Sequence, residues 1–187
     1  MKKTEYNVQR IIILVLFFAM ILIYINFFKI NNKAIEKTLF FEEKGGFSIA
    51  IPESWQVRES ASPDLKYRIL VGRTENNFTP NINFVDEAFD GELEIFVNAA
   101  IESLEVLLGE NHEVIQRSVF TTQNGLIGER VRINSYFYHQ DNYVRMHIYF
   151  FLGDMRVIII TCITLLEAAE AYGELFDRTI KTFRWIE

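Results

Sequence analysis

Few residues in this chain have the types and spacing that chemistry needs. There are three histidines: His112 follows a helical run, His139 sits in a polar loop, and only His147 lies in a strand-like stretch. No HxH, HExxH or CxxC spacing occurs, so the usual ligand sets of a zinc site are missing. The single cysteine, Cys162, lies in an apolar run and is expected to be an inert core thiol. Ser48 and Ser54 lack the Gly-x-Ser-x-Gly context of a hydrolase elbow, and there is no glycine-rich phosphate loop. The acidic group Asp86, Glu87, Asp90, Glu92 and Glu94 lacks the ligand order of a calcium loop. It reads as a solvated face at a helix start, where the helix dipole favours acids. No catalytic residue, metal ligand or cofactor is therefore expected.

One constellation could recognise a ligand. If residues 139–142 form a four-residue hairpin loop, Tyr138 faces Tyr143, Tyr136 faces Arg145, Asn134 faces His147 and Arg132 faces Tyr149. The candidate binding face is then Arg130, Arg132, Tyr136, Tyr138, Tyr143, Arg145, His147 and Tyr149. Tyr and Arg are the residues that interface hot spots favour, so this basic, aromatic face suits a partner protein or an anionic or sugar-like ligand. The competing reading has arginines stacked on tyrosines beneath a covering helix, with their heads at its rim. Aromatic–Arg cross-strand pairs stabilise a sheet with no ligand present, which favours that second reading.

The elements that must hold these residues are legible from periodicity. Strands are predicted at 38–42, 47–51, 67–72 and 81–88, with Gly45-Gly46 as a turn and Pro52 ending the second strand. A helix is predicted over 92–108, where Leu93, Phe96, Val97, Ala100, Leu104 and Leu107 form one stripe. Asp90 is the expected N-cap and Gly109 the stop. A meander follows, 113–122, 126–138, 143–152 and 155–163, with Asn124-Gly125 as a two-residue hairpin turn and Gly153-Asp154 as another. Thr164 to Glu167 fits a capping box for a final helix running to about Thr182. Val144, Met146, Ile148 and Phe150 face away from the Arg/Tyr/His set, while Val157–Ile163 is apolar on both faces, as in a central covered strand. The fold class expected is α+β: an antiparallel sheet with a helix on each face, an α/β/α sandwich.

Ahead of this domain, Ile11 to Ile25 is unbroken apolar or aromatic sequence, and Phe27 and Phe28 follow Asn26. Residues 11–28 at ~1.5 Å rise would reach roughly 27 Å, close to the ~30 Å core of a bilayer. No Ala-x-Ala pattern follows, so an uncleaved transmembrane anchor is favoured over a cleaved signal peptide. No cysteine follows the run, which excludes a lipoprotein anchor. The expected organisation is a tail at 1–10, an anchor at 11–28, a linker at 29–37 and the α/β domain at 38–187. Basic residues tie at three on each side of the anchor (Lys2, Lys3, Arg10; Lys29, Lys33, Lys37), so charge does not orient it. From residue 38 onward, 13 basic against 23 acidic residues give −10, a poor match for nucleic acid.

The run Phe47-Ser48-Ile49-Ala50-Ile51-Pro52-Glu53-Ser54-Trp55 resembles the opening signature of PsbP-like domains, an aromatic-led strand ending in Pro-x-x-Trp. The order of elements over residues 38–187 follows the same pattern, and Ser54 stands where glycine is commoner. The resemblance, which extends to bacterial DcrB-like envelope proteins, implies a domain that binds other proteins and shares no catalytic motif. It also places the domain outside the cytoplasm, single-pass on the cell membrane. The function expected is a membrane-tethered, extracytoplasmic, non-catalytic accessory domain with a protein partner in the envelope. The alternatives are a small-ligand carrier using the Arg/Tyr/His face, or an envelope enzyme.

Overall fold

In the computed structural model the described residues are 39–59, 67–137 and 141–186. The predicted tail, anchor and linker lie outside them, as do Tyr138 and His139. Among the described residues, no helix is long and apolar enough to cross a membrane.

The chain runs β1 (Leu39–Glu42), β2 (Phe47–Ala50), β3 (Gln56–Arg58), β4 (Ile69–Val71), β5 (Asn81–Ala88), α1 (Leu93–Leu108), β6 (His112–Thr121), β7 (Ile127–Phe137), β8 (Asn142–Gly153), β9 (Arg156–Leu165), α2 (Ala169–Ile180) and β10 (Arg184–Trp185). It is a mixed α+β fold with a large antiparallel sheet and two helices. Seven strands pair in the order β3-β4-β5-β9-β8-β7-β6, and β1, β2 and β10 make a separate three-stranded sheet. β9, the strand apolar on both faces, is the middle one of the seven.

Two apolar clusters lie on opposite faces of the large sheet. One joins Phe96, Val97 and Ala100 of α1 to Val131, Ile133, Val144, Met146, Ile148 and Phe150. The other joins Phe176 and Ile180 of α2, with Phe40, Phe47 and Ile49 from the small sheet and Phe183 just before β10, to Tyr149, Phe151, Ile158, Ile160 and Cys162. Alternate residues of β8 feed the two clusters, as the period of a strand requires.

Four local expectations need correction. The hairpin at Asn124-Gly125 has three loop residues, not two: Thr122 N–H donates to the Leu126 carbonyl at 3.0 Å, and Gly125 takes φ +84° after a turn through Gln123 and Asn124. That is a type I turn with glycine in the left-handed position. The capping box does not form. Thr164 is spent in β9, opposite Arg145, and Glu167 accepts from Asn76 Nδ2 at 2.8 Å, while α2 starts at Ala169 with no side-chain cap. At α1 the N-cap is Glu92 rather than Asp90, and Gly109 ends the helix at φ +60°. Finally, β3 and β10, which the periodicity does not show, are three and two residues long, too short to display a period.

The backbone at Ser54 favours the glycine that is commoner at this position of the resemblance. The Pro52–Trp55 turn, closed by Trp55 N–H to the Pro52 carbonyl at 3.1 Å, holds Ser54 at φ +66°. Glycine adopts that left-handed conformation freely and serine at a cost. The turn delivers Trp55 onto Phe176 of α2, ring centroids 6.1 Å apart.

Candidate functional site

The face singled out from sequence forms, but two residues out of the expected register. Tyr136 pairs with Tyr143, Asn134 with Arg145, Arg132 with His147 and Arg130 with Tyr149. A shift of two keeps every side chain on the same face, whereas a shift of one would have exchanged faces. The observed register sets the Tyr136 and Tyr143 rings 4.9 Å apart and lets Arg145 Nε donate to Asn134 Oδ1 at 3.0 Å.

This face lies beneath α2, and an acid on that helix organises it. Asp177 Oδ2 accepts from Arg130 Nη1 at 2.6 Å and from Arg132 Nη2 at 3.3 Å. Its Oδ1 accepts from the Tyr149 hydroxyl at 2.5 Å. Arg130 Nη2 also donates to Ser118 on β6, at 3.2 Å. One turn from the start of α2, Glu170 takes Arg145 Nη1 at 2.9 Å. That acid is almost wholly exposed, so the pair contributes little. Two of the three arginines meant to give the face its basic character thus share one carboxylate, Asp177, that the sequence pattern assigns to solvent. A helix writes Asp177 one position after inward Phe176, at the edge of the apolar stripe, where a periodicity reading assigns acids to solvent.

The electrostatics follow. Burial works to raise the Asp177 carboxyl, but the Tyr149 and Arg130 hydrogen bonds and the charges of Arg130 and Arg132 outweigh it, leaving the group below its ordinary value. Burial pushes the Tyr149 phenol far up, with the Cys162 and Asp177 charges adding to it. His147 is 1% exposed and neither ring nitrogen has a partner among the described residues. Burial, reinforced by Arg132, holds it at about 4 against an ordinary 6.5. Phe176 lies 5.6 Å from its ring, and a Cβ on Gly173 would come within 3.0 Å of its Cε1. Opposite it on β9 stands Cys162, buried, its thiol pushed up chiefly by burial.

Of the eight predicted residues, His147 and Tyr149 are therefore buried, Arg130 and Arg145 are mostly covered, and Tyr138 lies outside the described residues. Tyr143 is the one that stands open to solvent, 62% exposed, with half-covered Tyr136 beside it and Arg132 at the rim. The Tyr136 hydroxyl hydrogen-bonds to Asp141. No group of three His, Cys, Asp or Glu among the described residues is placed to hold a metal ion. The acids at 86–94 do not converge. Asp86 faces Arg156 at 3.6 Å, while Glu92 and Glu94 stand exposed at the start of α1.

No protein-family model and no curated protein sequence matches the chain. Solved structures do match in shape. The solution structure of the cyanobacterial PsbP protein CyanoP from Synechocystis sp. PCC 6803 superposes with a TM-score of 0.59 at 13% identity, covering 85% of this chain and 98% of that one. LpqN of Mycobacterium tuberculosis, described as involved in cell envelope biogenesis, gives 0.58 at 12% identity, covering 75% and 83%. The Ran-binding protein Mog1p of Saccharomyces cerevisiae gives 0.53 at 17% identity, covering 85% and 97%. Likeness at these identities is likeness of fold, and the domain has a PsbP-like fold.

Proposed function

We propose that this protein is a membrane-tethered, extracytoplasmic and non-catalytic accessory domain that acts by binding a protein partner in the cell envelope. The observation that carries the reading is the condition of the Arg/Tyr/His face. Arg130, Arg145 and Tyr149 are committed to Asp177 and Glu170, while exposed Tyr143 stands at the rim beside Tyr136 and Arg132, which keep their own bonds to Asp141 and Asp177. An aromatic pair beside an arginine suits a protein contact. Two fold relatives point the same way, one a Ran-binding protein and one involved in cell envelope biogenesis. A ligand carrier working on the same face has less support, because Gly173 and Phe176 lie directly against His147.

The test is crosslinking and pull-down of the full-length protein from membranes, beside Tyr143→Ala and Arg132→Ala. The expected result is a specific partner that both variants lose, with Tyr143→Ala keeping the wild-type melting temperature. A partner retained by both would remove this surface from the account. The tether is tested separately: alkaline phosphatase fused after Glu187 is expected to be active and membrane-bound, and an inactive fusion would place the domain on the other side.

A further inference from the structure

A second cluster of cations lies away from that face. The end of α2, the tip of the β6–β7 hairpin, the end of β2 and the start of β10 enclose an open cleft of about 340 Å³, lined by Ala50, Gln123, Asn124, Lys181, Thr182 and Arg184. None of the six is acidic. Most other arginines of the described part are matched to carboxylates: Arg68 to Glu42, Arg117 to Glu129, Arg130 and Arg132 to Asp177, Arg145 to Glu170, Arg156 to Asp86. Lys181 and Arg184 have no carboxylate partner among the described residues, on a domain carrying ten more acids than bases. Two unmatched cations sharing one concavity are out of keeping with that balance.

The walls are also held in place. Gln123 N–H donates to the Lys181 carbonyl at 2.7 Å, tying the hairpin tip to the helix end. The Thr182 hydroxyl accepts from Ala50 N–H at 2.8 Å and donates to the Thr179 carbonyl at 2.6 Å, so its capacity is used. Asn124 Oδ1 accepts from the Thr122 hydroxyl at 2.5 Å, and Arg184 Nε donates to the buried Ser48 Oγ at 3.0 Å. What these bonds leave unengaged is a set of donors: the Lys181 ammonium, both Arg184 Nη groups and the Asn124 Nδ2. A fork of guanidinium donors beside an ammonium is the arrangement that matches an oxyanion, and fixing the walls beforehand lowers the ordering cost of binding. The volume exceeds that of an oxyanion alone, and the Gln123 and Asn124 carboxamides suit the hydroxyls of an attached polar body.

We propose that this cleft is a binding site for the oxyanion, phosphate or carboxylate, of a small polar ligand, with Lys181 and Arg184 as its charge partners. The site is independent of the Tyr143 surface and stands or falls without it. The test uses the full chain, isotopically labelled, in maltoside micelles at constant ionic strength. Glycerol 3-phosphate, citrate and uncharged glycerol are titrated in separate arms, followed by amide chemical shifts. The expected result is saturable shifts confined to residues 123–125 and 181–184 with one or both anions and none with glycerol. The arm with the tighter curve says whether the group is phosphate or carboxylate. Lys181→Gln and Arg184→Gln are each expected to weaken binding by about tenfold or more, the scale of a lost charge-assisted hydrogen bond. Lys181 is exposed at a helix end, so Lys181→Gln decides if Arg184→Gln disturbs β10. Absence of saturation in the millimolar range, shifts reproduced by sodium chloride, or an unchanged affinity in Lys181→Gln would overturn the proposal.

Discussion

Beneath α1 the large sheet presents Val131, Ile133, Met146, Ile148 and Phe150, while the intervening positions beneath α2 are Arg130, Arg132, Arg145, His147 and Tyr149. Each face is covered by one helix, and both sets of residues come from the same two strands, β7 and β8. On the α1 side the buried polar residues are neutral, Asn81, Asn83, Ser103, Ser135 and Thr161. On the α2 side neutral Thr164 and Thr179 are joined by charged or titratable groups, His147, Tyr149 and the arginines, and one carboxylate, Asp177, holds the helix to them. Apolar contact is tolerant of small displacement, but a two-arginine, one-tyrosine hub works only in one geometry. The α1 face therefore supplies cohesion, and the α2 face sets where its helix sits.

The largest effects should be the same on the two faces. Phe96 and Phe176 are each about fully buried under their own helix, and truncation of either to alanine is expected to cost about 3–5 kcal/mol. Chemical unfolding of the full chain in micelles would measure both. A cost several-fold smaller for Phe176→Ala would mean that α2 rests on its polar hub rather than on its apolar anchor.

Asp177→Ala separates the faces next. It strands Arg130, Arg132 and the buried Tyr149 hydroxyl together. The expected loss is roughly 2–3 kcal/mol, below that of a wholly buried pair because the Asp177 side chain is one quarter exposed. Asp177→Asn should recover part of it through the retained Tyr149 contact. If Asp177→Ala leaves the unfolding midpoint unchanged, the hub is ornamental and the contrast between the faces collapses.

Much of this was legible beforehand and some was not. The alternation of Val144, Met146, Ile148 and Phe150 against Arg145, His147 and Tyr149 assigned both faces correctly, because a strand's period of two survives any even error in register. The register was out by two because the strands close one residue earlier than expected, with Phe137 opposite Asn142, and the position of a loop of unchanged length cannot be read from polar residues alone. It was the Tyr136–Tyr143 stack and the Arg145–Asn134 bond that selected the pairing. Asp177 was invisible as a partner, since its contacts are 45 and 47 positions away in sequence. β10 needed the same long-range information: Arg184 pairs with Ser48 of β2, at the other end of the domain.

pH sharpens the comparison further. The folded His147 holds its pKa at about 4, below the 6.5 of the unfolded chain. Between those values the unfolded state binds the extra proton, so stability is full above pH 6.5 and falls as pH drops toward 4, by roughly 2–3 kcal/mol in all. Asp177, lowered in the folded state, adds a further loss below the ordinary carboxylate range. His147→Gln should flatten the slope between pH 6.5 and 4, whereas Phe96→Leu on the other face should lower the whole curve and leave its slope unchanged. A wild-type profile flat over that interval would refute a buried neutral His147.

The smallest expected effect asks whether the polar side is as tightly closed as the apolar one. Thr164 is 1% exposed on the α2 face, opposite Arg145, and Ser135 is 2% exposed on the α1 face, opposite Val144. Neither hydroxyl has a hydrogen-bond partner among the described residues. A hydroxyl buried without a partner carries a desolvation cost, and removing it at nearly constant shape should return about 1 kcal/mol. Thr164→Val and Ser135→Ala are such changes, and each should raise the unfolding midpoint by a similar amount. Equal gains would make the two interiors alike in closure and different only in charge. A gain at Ser135 with a loss at Thr164 would show that the hydroxyl beside Arg145 finds a partner in solution. The layer under α2 would then be looser than the one under α1, and the Asp177 hub rather than close contact would be what keeps that helix in place.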